Sequence, residues 1–387
     1  MVALQDYVGR EQTYVKHLFL ESYLGSLVYK TASRFPHIVY VDGFAGPWRS
    51  ANEKFEDTSF GIALNVLRQA KASWKERHRD VGMSAFLVER DVSAYQHLAG
   101  IPPQYPDVEV TPYNADFLCV LDQILKNIPR EAFVFFLIDP KGWRIPLLKL
   151  KALLARPCSE VIFNFMFDFI NRAASMTDPT IVAGLNELVP FGDWRRRLEV
   201  REGSERVPSV ERKRILVESF STSLKHLGSY EYVAETTILR PLKDRALYCL
   251  FYATRHSRGI EVFRDCQITA MREESASRAT NKIKHAATTT GQAEIFDSLH
   301  DMAPDKLEAF LLGQRIEAER ALLELAPEKP HFVLYEKLRA QVLSRHVVRV
   351  SDVNKIAARL HHGYQLLFPD WEKGRRVPQP EYRAQRA

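Results

Sequence analysis

Apolar runs alternate with amphipathic stretches through the first half of the chain. HIVYVDGF (His37 to Phe44), SAFLVER (Ser84 to Arg90), VEVTPY (Val108 to Tyr113), AFVFFLID (Ala132 to Asp139) and EVIFNF (Glu160 to Phe165) are apolar at odd and even positions alike. That is the pattern of strands covered by helices on both faces of a sheet. Between them, Gly61 to Ala72, Ser93 to Gly100, Phe117 to Asn127 and Leu147 to Ala155 repeat their apolar residues at helical spacing, and Gln12 to Thr31 predicts a helix ahead of the first strand. Strand, helix, strand at this spacing implies a parallel sheet with right-handed crossovers.

The pattern changes after Arg172. Residues 175–225, with the basic run FGDWRRRLEVREGSERVPSVERKR, read as a helical insertion. Two further strands, Tyr232 to Leu239 and Ala246 to Arg255, are joined by RPLKDR, where Pro241 and the charges suit a turn. The expected fold class is α/β: a seven-stranded doubly wound Rossmann-like sheet over residues 1–272, five parallel strands finished by an antiparallel pair, the common methyltransferase layout. Residues 273–292 are poor in large apolar side chains and rich in Ser, Thr, Ala and Lys, which predicts a linker or exposed loop. A mostly helical region, 293–387, follows. HFVLYEKLRAQVLS and SDVNKIAARLHH read as helices, Ser351 as the cap of the second with Asp352 in its first turn. LLFPDWEKGRRVPQ reads as two short extended pieces around the turn EKGR, giving a winged-helix-like end over 331–387.

At 387 residues the chain exceeds the size at which one core keeps growing, so two or three domains are expected. Its 46% hydrophobic and 26% charged residues are ordinary for a globular protein. No apolar run reaches the length of a membrane span, and the N-terminus lacks the pattern of a secretory signal, so the expected location is the cytoplasm, with no membrane partner. Four cysteines, Cys119, Cys158, Cys249 and Cys266, are scattered without C-x-x-C, which points to reduced thiols and no metal site. The net charge of +6 is local: His331 to Ala387 holds eleven Lys or Arg against five Asp or Glu, and the rest of the chain balances. A localised basic surplus is the footprint of nucleic-acid contact, or merely of a soluble tail.

The candidate chemistry sits at strand ends. The first strand closes in VDGFAGPW, where Gly43, Ala45 and Gly46 permit a tight turn beside Asp42. This is not G-x-G-x-x-G, and Pro47 removes a backbone donor, which argues against a dinucleotide pyrophosphate. An acidic residue beside a glycine turn better suits S-adenosyl-L-methionine, which carries a sulfonium and no phosphate. Glu89, ending the second strand, has the acceptor capacity for two ribose hydroxyls, with Asp91 as competitor. In NADF after the third strand, Asp116 is placed to accept from an adenine amino group and Phe117 to pack on the ring. The fourth strand ends in IDPKGW. Asp139 and Pro140 stand where the [DN]-P-P-[YFW] motif of amino-methylating enzymes stands, with Lys141 and Gly142 in place of Pro and the aromatic, and Trp143 one step late. Asn164, ending the fifth strand, lines the same cleft or simply satisfies a strand end.

The strings KHLFLESYL, YVDGFAGPW, FGIAL, FLVERD, FFLIDPKG and SEVIFNFMFDFINR together resemble the three-Cys-motif partner protein family, TcmP, over roughly residues 13 to 270. DGFAGP and DPKG are the most specific blocks. The resemblance implies a methyltransferase-like domain that binds S-adenosylmethionine, with Asp42, Gly43, Gly46, Glu89, Asp116 and Asp139 at its cleft. It also implies a cysteine-motif partner resembling radical-SAM proteins. The usual family pattern has Gly where this chain has Trp48, and an aromatic where it has Lys141.

The expected chemistry is methyl transfer from the sulfonium to the amino nitrogen of a base. Asp139, Pro140 and Lys141 would serve catalysis, and Arg345, Arg349, Lys355, Arg359, Arg375 and Arg376 would hold the phosphate backbone of RNA or DNA, helped by Arg195 to Arg197. The alternatives are a catalytically degenerate nucleic-acid-binding or partner-binding protein working with the radical-SAM-like protein, and methylation of a protein or small molecule.

Overall fold

The computed structural model describes residues 7, 11–46, 50, 55–199, 207–240, 243–290 and 297–387, and at 11, 240, 243–245, 278–290 and 297–305 the backbone alone. The chain divides into two compact units, Met1–Arg255 and His256–Ala387.

The first unit is built in the order α1 (Glu11–Ala32), β1 (His37–Asp42), α2 (Ser59–Glu76), β2 (Gly82–Glu89), α3 (Val92–Ala99), β3 (Glu109–Asn114), α4 (Phe117–Asn127), β4 (Phe133–Ile138), α5 (Lys151–Leu154), β5 (Ser159–Phe165), α6 (Phe167–Ala173), α7 (Pro179–Leu188), α8 (Trp194–Glu199), α9 (Ser209–Gly228), β6 (Tyr232–Arg240) and β7 (Lys243–Thr254). Its seven strands form one mixed sheet in the order β3-β2-β1-β4-β5-β7-β6. β1 pairs in parallel with β2 and β4, and β7 runs antiparallel to both β5 and β6.

Both faces of the sheet are covered, as the doubly apolar strands require. Val39, Val41, Val134, Phe136, Phe163 and Phe165 share one core with side chains of α4, α5, α7 and α9. Phe220 of α9 meets Phe163, Phe165 and Phe251 at centroid distances of 4.9, 4.6 and 4.7 Å. Each such ring, fully buried, contributes about 1.5–3 kcal/mol. On the opposite face, Tyr40 stacks on Phe135, and Tyr23 of α1 packs on Phe135 and Tyr252.

Most of the expected elements are present, with shifted ends. α2 begins two residues early, because Thr58 caps it by accepting from Gly61 N–H at 3.1 Å. It also runs past Ala72, because Trp74 stacks on Tyr29 and its indole N–H donates to Tyr29 O. A Cβ at Gly61 would lie 2.1 Å from Phe55 O, so the helix can start here only with glycine. The insertion folds as α7, α8 and α9. Pro241 and the centre of the expected turn, like Pro47 and Trp48, lie outside the described residues.

The second unit contains α10 (Ser257–Thr290), α11 (Asp297–Leu325), β8 (Val333–Leu334), α12 (Tyr335–Arg345), α13 (Val350–His362), β9 (Leu366–Leu367) and β10 (Arg383–Arg386). Over residues 273–290 the expected linker is replaced by the second half of α10; 291 and 292 lie outside the described residues. The Ala, Lys, Arg and Glu of α10 are good helix formers, and no Gly or Pro occurs between Ile260 and Thr290, so a shortage of large apolar residues did not mean loop. The helical region therefore starts at Ser257, within the segment assigned to the first domain by its sequence.

The three short strands form a sheet in the order β8-β10-β9, with β10 antiparallel to both neighbours. Three expectations are corrected in this unit. The returning strand is Arg383–Arg386, well beyond the arginines at the turn, and Ser351 lies inside α13. The cap position of α13 is Arg349, whose N–H donates to Asp352 Oδ2 at 3.1 Å. α12 starts at Tyr335, not His331, because the first N–H groups of the helix donate to the C-terminal segment: Tyr335 N to Tyr382 O at 2.8 Å and Glu336 N to Pro380 O at 2.9 Å.

Candidate functional site

The strand order reverses between β1 and β4, and ligands of open α/β sheets bind outside the carboxyl ends of the strands at such a point. There the first unit opens a crevice of about 1080 Å³. Its walls come from the segments after β1 (Gly43, Phe44), β2 (Val88 to Ser93), β3 (Ala115 to Leu118) and β4 (Asp139 to Ile145). Gly43, Glu89, Asp116, Phe117, Asp139, Pro140 and Lys141 are thus brought together as expected. Gly46 and Asp42 are not among the residues that wall the crevice.

Asp42 is completely buried and holds the turn from below. Oδ1 accepts from Phe44 N–H at 3.0 Å, and Oδ2 accepts from Tyr40 OH at 2.9 Å and Ser59 OH at 2.7 Å. Burial pushes its carboxyl up to about 6, opposed by those three donors, with the nearby Asp139 adding to the rise. Asp42 therefore shapes the turn from beneath and does not itself wall the crevice. The turn itself is pinned by Gly43 N–H to Leu137 O at 3.1 Å and Ala45 N–H to Val88 O at 2.8 Å. A Cβ on Gly43 would come within 2.9 Å of the Phe117 ring, so glycine is what lets that ring slide under the turn. Phe117 is buried and tilts against Phe44 at 5.8 Å.

Glu89 is nearly buried, and its Oε1 accepts from Asp91 N–H at 2.6 Å. Oε2 accepts from no described residue. Asp91 caps α3 through Ala94 N–H at 2.8 Å and also walls the crevice. Asp116 caps α4 through Leu118 N–H at 3.0 Å while remaining exposed to the crevice.

Asp139 has partners on both oxygens. Lys16 of α1 sits 2.5 Å from Oδ2, and the Asn164 amide donates to Oδ1 at 2.5 Å. Asn164 is buried, and its own Oδ1 has no hydrogen-bond partner. Behind the pair lies a cavity of about 10 Å³, room for one water-sized group, walled by Lys16, Asp139, Asn164 and apolar side chains. Lys16 had no signal as a site residue. It falls in the KHLFLESYL block, but its partner is 123 residues away.

Beyond Pro140, Gly142 takes φ +111°, a conformation that favours glycine. The turn delivers Trp143 to the crevice wall. Its six-membered ring lies against α7, 3.2 Å from where a Gly184 Cβ would be, and the Arg144 guanidinium stands 5.4 Å from its centroid. The charged lining is mixed: Glu89, Arg90, Asp91 and Asp116 come from the segments after β2 and β3, and Asp139, Lys141 and Arg144, beside Trp143, from the segment after β4.

Of the six basic residues assigned to phosphate contact, Arg349 pairs with Asp265 at 3.8 Å, Arg359 with Glu319 at 2.5 Å and Arg375 with Glu372 at 2.9 Å. Arg345, Lys355 and Arg376 are exposed and pair with no acidic group among the described residues. In the insertion, Arg195 pairs with Glu199 and Arg197 with Glu218. All four cysteines are free, and no metal-binding group of His, Cys, Asp or Glu occurs among the described residues. No described helix is long and apolar enough to cross a membrane.

No family model matches the chain, and no curated protein matches it. Among solved structures, a Legionella pneumophila protein described under the family model DUF519 is similar at 14% identity, over 62% of this chain and 84% of that one, with a TM-score of 0.36. A likeness this distant carries nothing about function.

Proposed function

We propose that this chain is an S-adenosylmethionine-dependent, methyltransferase-like protein with a Rossmann-like sheet, acting on the amino nitrogen of a nucleic-acid base. One observation carries the reading: Glu89, Asp116 and Asp139, at the ends of three parallel strands, wall a single crevice around Gly43 and Phe117. The donor set suits a cationic nucleoside without phosphate. Glu89 offers a free carboxylate oxygen for ribose hydroxyls, Asp116 a carboxylate for an exocyclic amine, and Phe117 an apolar floor. S-adenosylmethionine would supply an electrophilic methyl group on a positively charged sulfur. Across the crevice, Asp139 accepts an N–H of the incoming amine and aligns its lone pair, Trp143 gives a stacking surface, and Lys141 and Arg144 face phosphate.

In the second unit, the order β8-α12-α13-β9-β10 supports a winged-helix-like reading. Arg345, Lys355 and Arg376 then hold the phosphate backbone, while Arg349, Arg359 and Arg375 are largely committed to acidic neighbours.

Lys141-Gly142 in place of Pro-aromatic, with both Asp139 oxygens engaged, favours a second reading: a degenerate nucleic-acid-binding or partner-binding protein that works with a cysteine-motif, radical-SAM-like protein. Calorimetry with S-adenosylmethionine, followed by transfer of its radiolabelled methyl group into total RNA, DNA and protein, separates the two. Heat together with label in RNA or DNA supports the enzyme. Heat without label in any fraction supports the degenerate protein, and absence of heat overturns cofactor use.

A further inference from the structure

We infer that Lys16 is a positioning residue for Asp139 that also cancels its charge, so that the acceptor end of the crevice takes a neutral amine and not an ammonium. The inference rests on the methyltransferase-like reading and narrows its substrate class: an exocyclic amine of a base is neutral at pH 7, whereas an alkyl amine such as a lysine side chain is protonated.

The Lys16 and Asp139 side chains are 18% and 19% exposed, so the pair is mostly withdrawn from water and its attraction is less screened than that of a surface pair. Lys16 holds one carboxylate oxygen and Asn164 the other. An ionised carboxylate has roughly four acceptor sites, so about two stay available for an incoming N–H, in a plane fixed by the two existing contacts.

A purely structural role for Lys16 fits less well. α1 is already docked by Val15, Phe19, Leu20, Tyr23, Leu24 and Leu27, all buried. It does not need a cation, and the one it sends reaches the carboxylate that walls the crevice. Without that cation, Asp139 would present an uncompensated negative charge to whatever enters.

Two ligands test this without requiring turnover. S-adenosylhomocysteine is neutral at sulfur. Sinefungin carries an amine, protonated at pH 7, on the carbon that replaces the sulfur. The full chain, K16M, K16R and K16M/D139N would each be titrated with both by calorimetry, and their melting temperatures compared to verify folding. K16M is expected to shift the affinity ratio toward sinefungin by about tenfold. K16R is expected to stay within about threefold of wild type, because the cation is retained. The double variant is expected to lose the shift, because the exposed charge is gone. If K16M binds S-adenosylhomocysteine but its ratio is unchanged, the inference is overturned and the cofactor reading stands. If wild type binds neither ligand, the reading falls and takes the inference with it.

Discussion

The two units treat their aspartates in opposite ways. In the sheet unit, Asp42 is completely buried, takes three hydrogen bonds, and still has its carboxyl pushed up to about 6 by desolvation. In the C-terminal unit, Asp370 is only partly buried, at the surface, takes bonds from Arg383 Nε, Nη2 and backbone N–H at 2.8 to 3.0 Å, and has its carboxyl pulled down to about 2. The first charge is ordered at a cost to stability and fixes a turn. The second sits in water, where pairing is cheap and adds little. The same contrast separates the crevice carboxylates, placed by strand ends and helix caps, from the basic surface of the second unit, where three of six assigned residues answer to acidic neighbours.

The largest expected effect tests the buried side of this contrast. The folded-state value of Asp42 lies about two units above its ordinary value, so the native state binds more protons than the unfolded state and stability falls as pH rises. Above pH 6 the full penalty applies, roughly 3 kcal/mol at 1.36 kcal/mol per unit. It fades as pH falls, with about 1.4 kcal/mol recovered by pH 5 and about four-fifths of it by pH 4. Urea unfolding of wild type and D42N at pH 7.5 and 5 should therefore show wild type gaining on the variant as pH falls. Parallel behaviour would mean that Asp42 is not desolvated. Asp370 runs the other way: its contribution is present above the ordinary carboxylate range and is lost on acidification through about 2.

The next effect concerns the cofactor face. Glu89→Gln keeps the size and the Asp91 N–H contact but loses the charge and one acceptor. Loss of a charge-assisted hydrogen bond of about 2 kcal/mol predicts roughly 30-fold weaker S-adenosylmethionine binding by calorimetry. Asp91→Asn should stay within a few tenths of a kcal/mol, since asparagine caps helices as well as aspartate does. Equal losses in both variants would mean that Glu89 has no privileged place in the crevice.

What the sequence could show follows the same division. Continuous apolar runs and helical spacing located the strands of the large sheet, most plainly β1, β2, β4 and β5, which are buried on both faces. Placing acidic residues at strand ends was enough to assemble Glu89, Asp116 and Asp139, because parallel strands deliver their ends to one edge. Burial was invisible: Asp42 has the same sequence context whether it faces a ligand or lies beneath the turn. So was Lys16, whose partner is fixed only when α1 docks. In the second unit, α10 was misread for lack of large side chains, and the pairing of Arg349 with Asp265 on α10 could not be foreseen without that helix. Charge counting sees how many cations a segment has, not which ones are committed.

A smaller effect sharpens the turn. Gly43→Ala places a Cβ within 2.9 Å of the Phe117 ring, whose neighbours leave it little room. Overpacking of this kind costs about 1–3 kcal/mol, and the value should fall at the low end if Phe44 yields with the ring. Thermal unfolding reads the loss. A still larger fall in S-adenosylmethionine affinity than in stability would show that the position of Phe117, and not merely the fold, serves the crevice. A fall in stability alone would leave Phe117 a core residue.

The smallest effect separates committed from uncommitted cations on α13. Lys355 and Arg359 are one helical turn apart and both exposed, yet Arg359 reaches Glu319 at 2.5 Å while Lys355 has no acidic partner among the described residues. Each phosphate contact adds about 0.9 to the slope of log affinity against log salt for duplex DNA. Lys355→Ala should therefore flatten the slope by close to one contact and weaken binding by less than about 1 kcal/mol at moderate salt. Arg359→Ala also frees the Glu319 carboxylate to repel the backbone. It should weaken binding with a smaller change in slope, and Glu319→Gln should strengthen binding slightly by releasing the arginine. Fluorescence anisotropy with one duplex across a salt series measures all three. If the two cation deletions prove interchangeable, ion pairing does not sort this surface, and the contrast between the units reduces to burial alone.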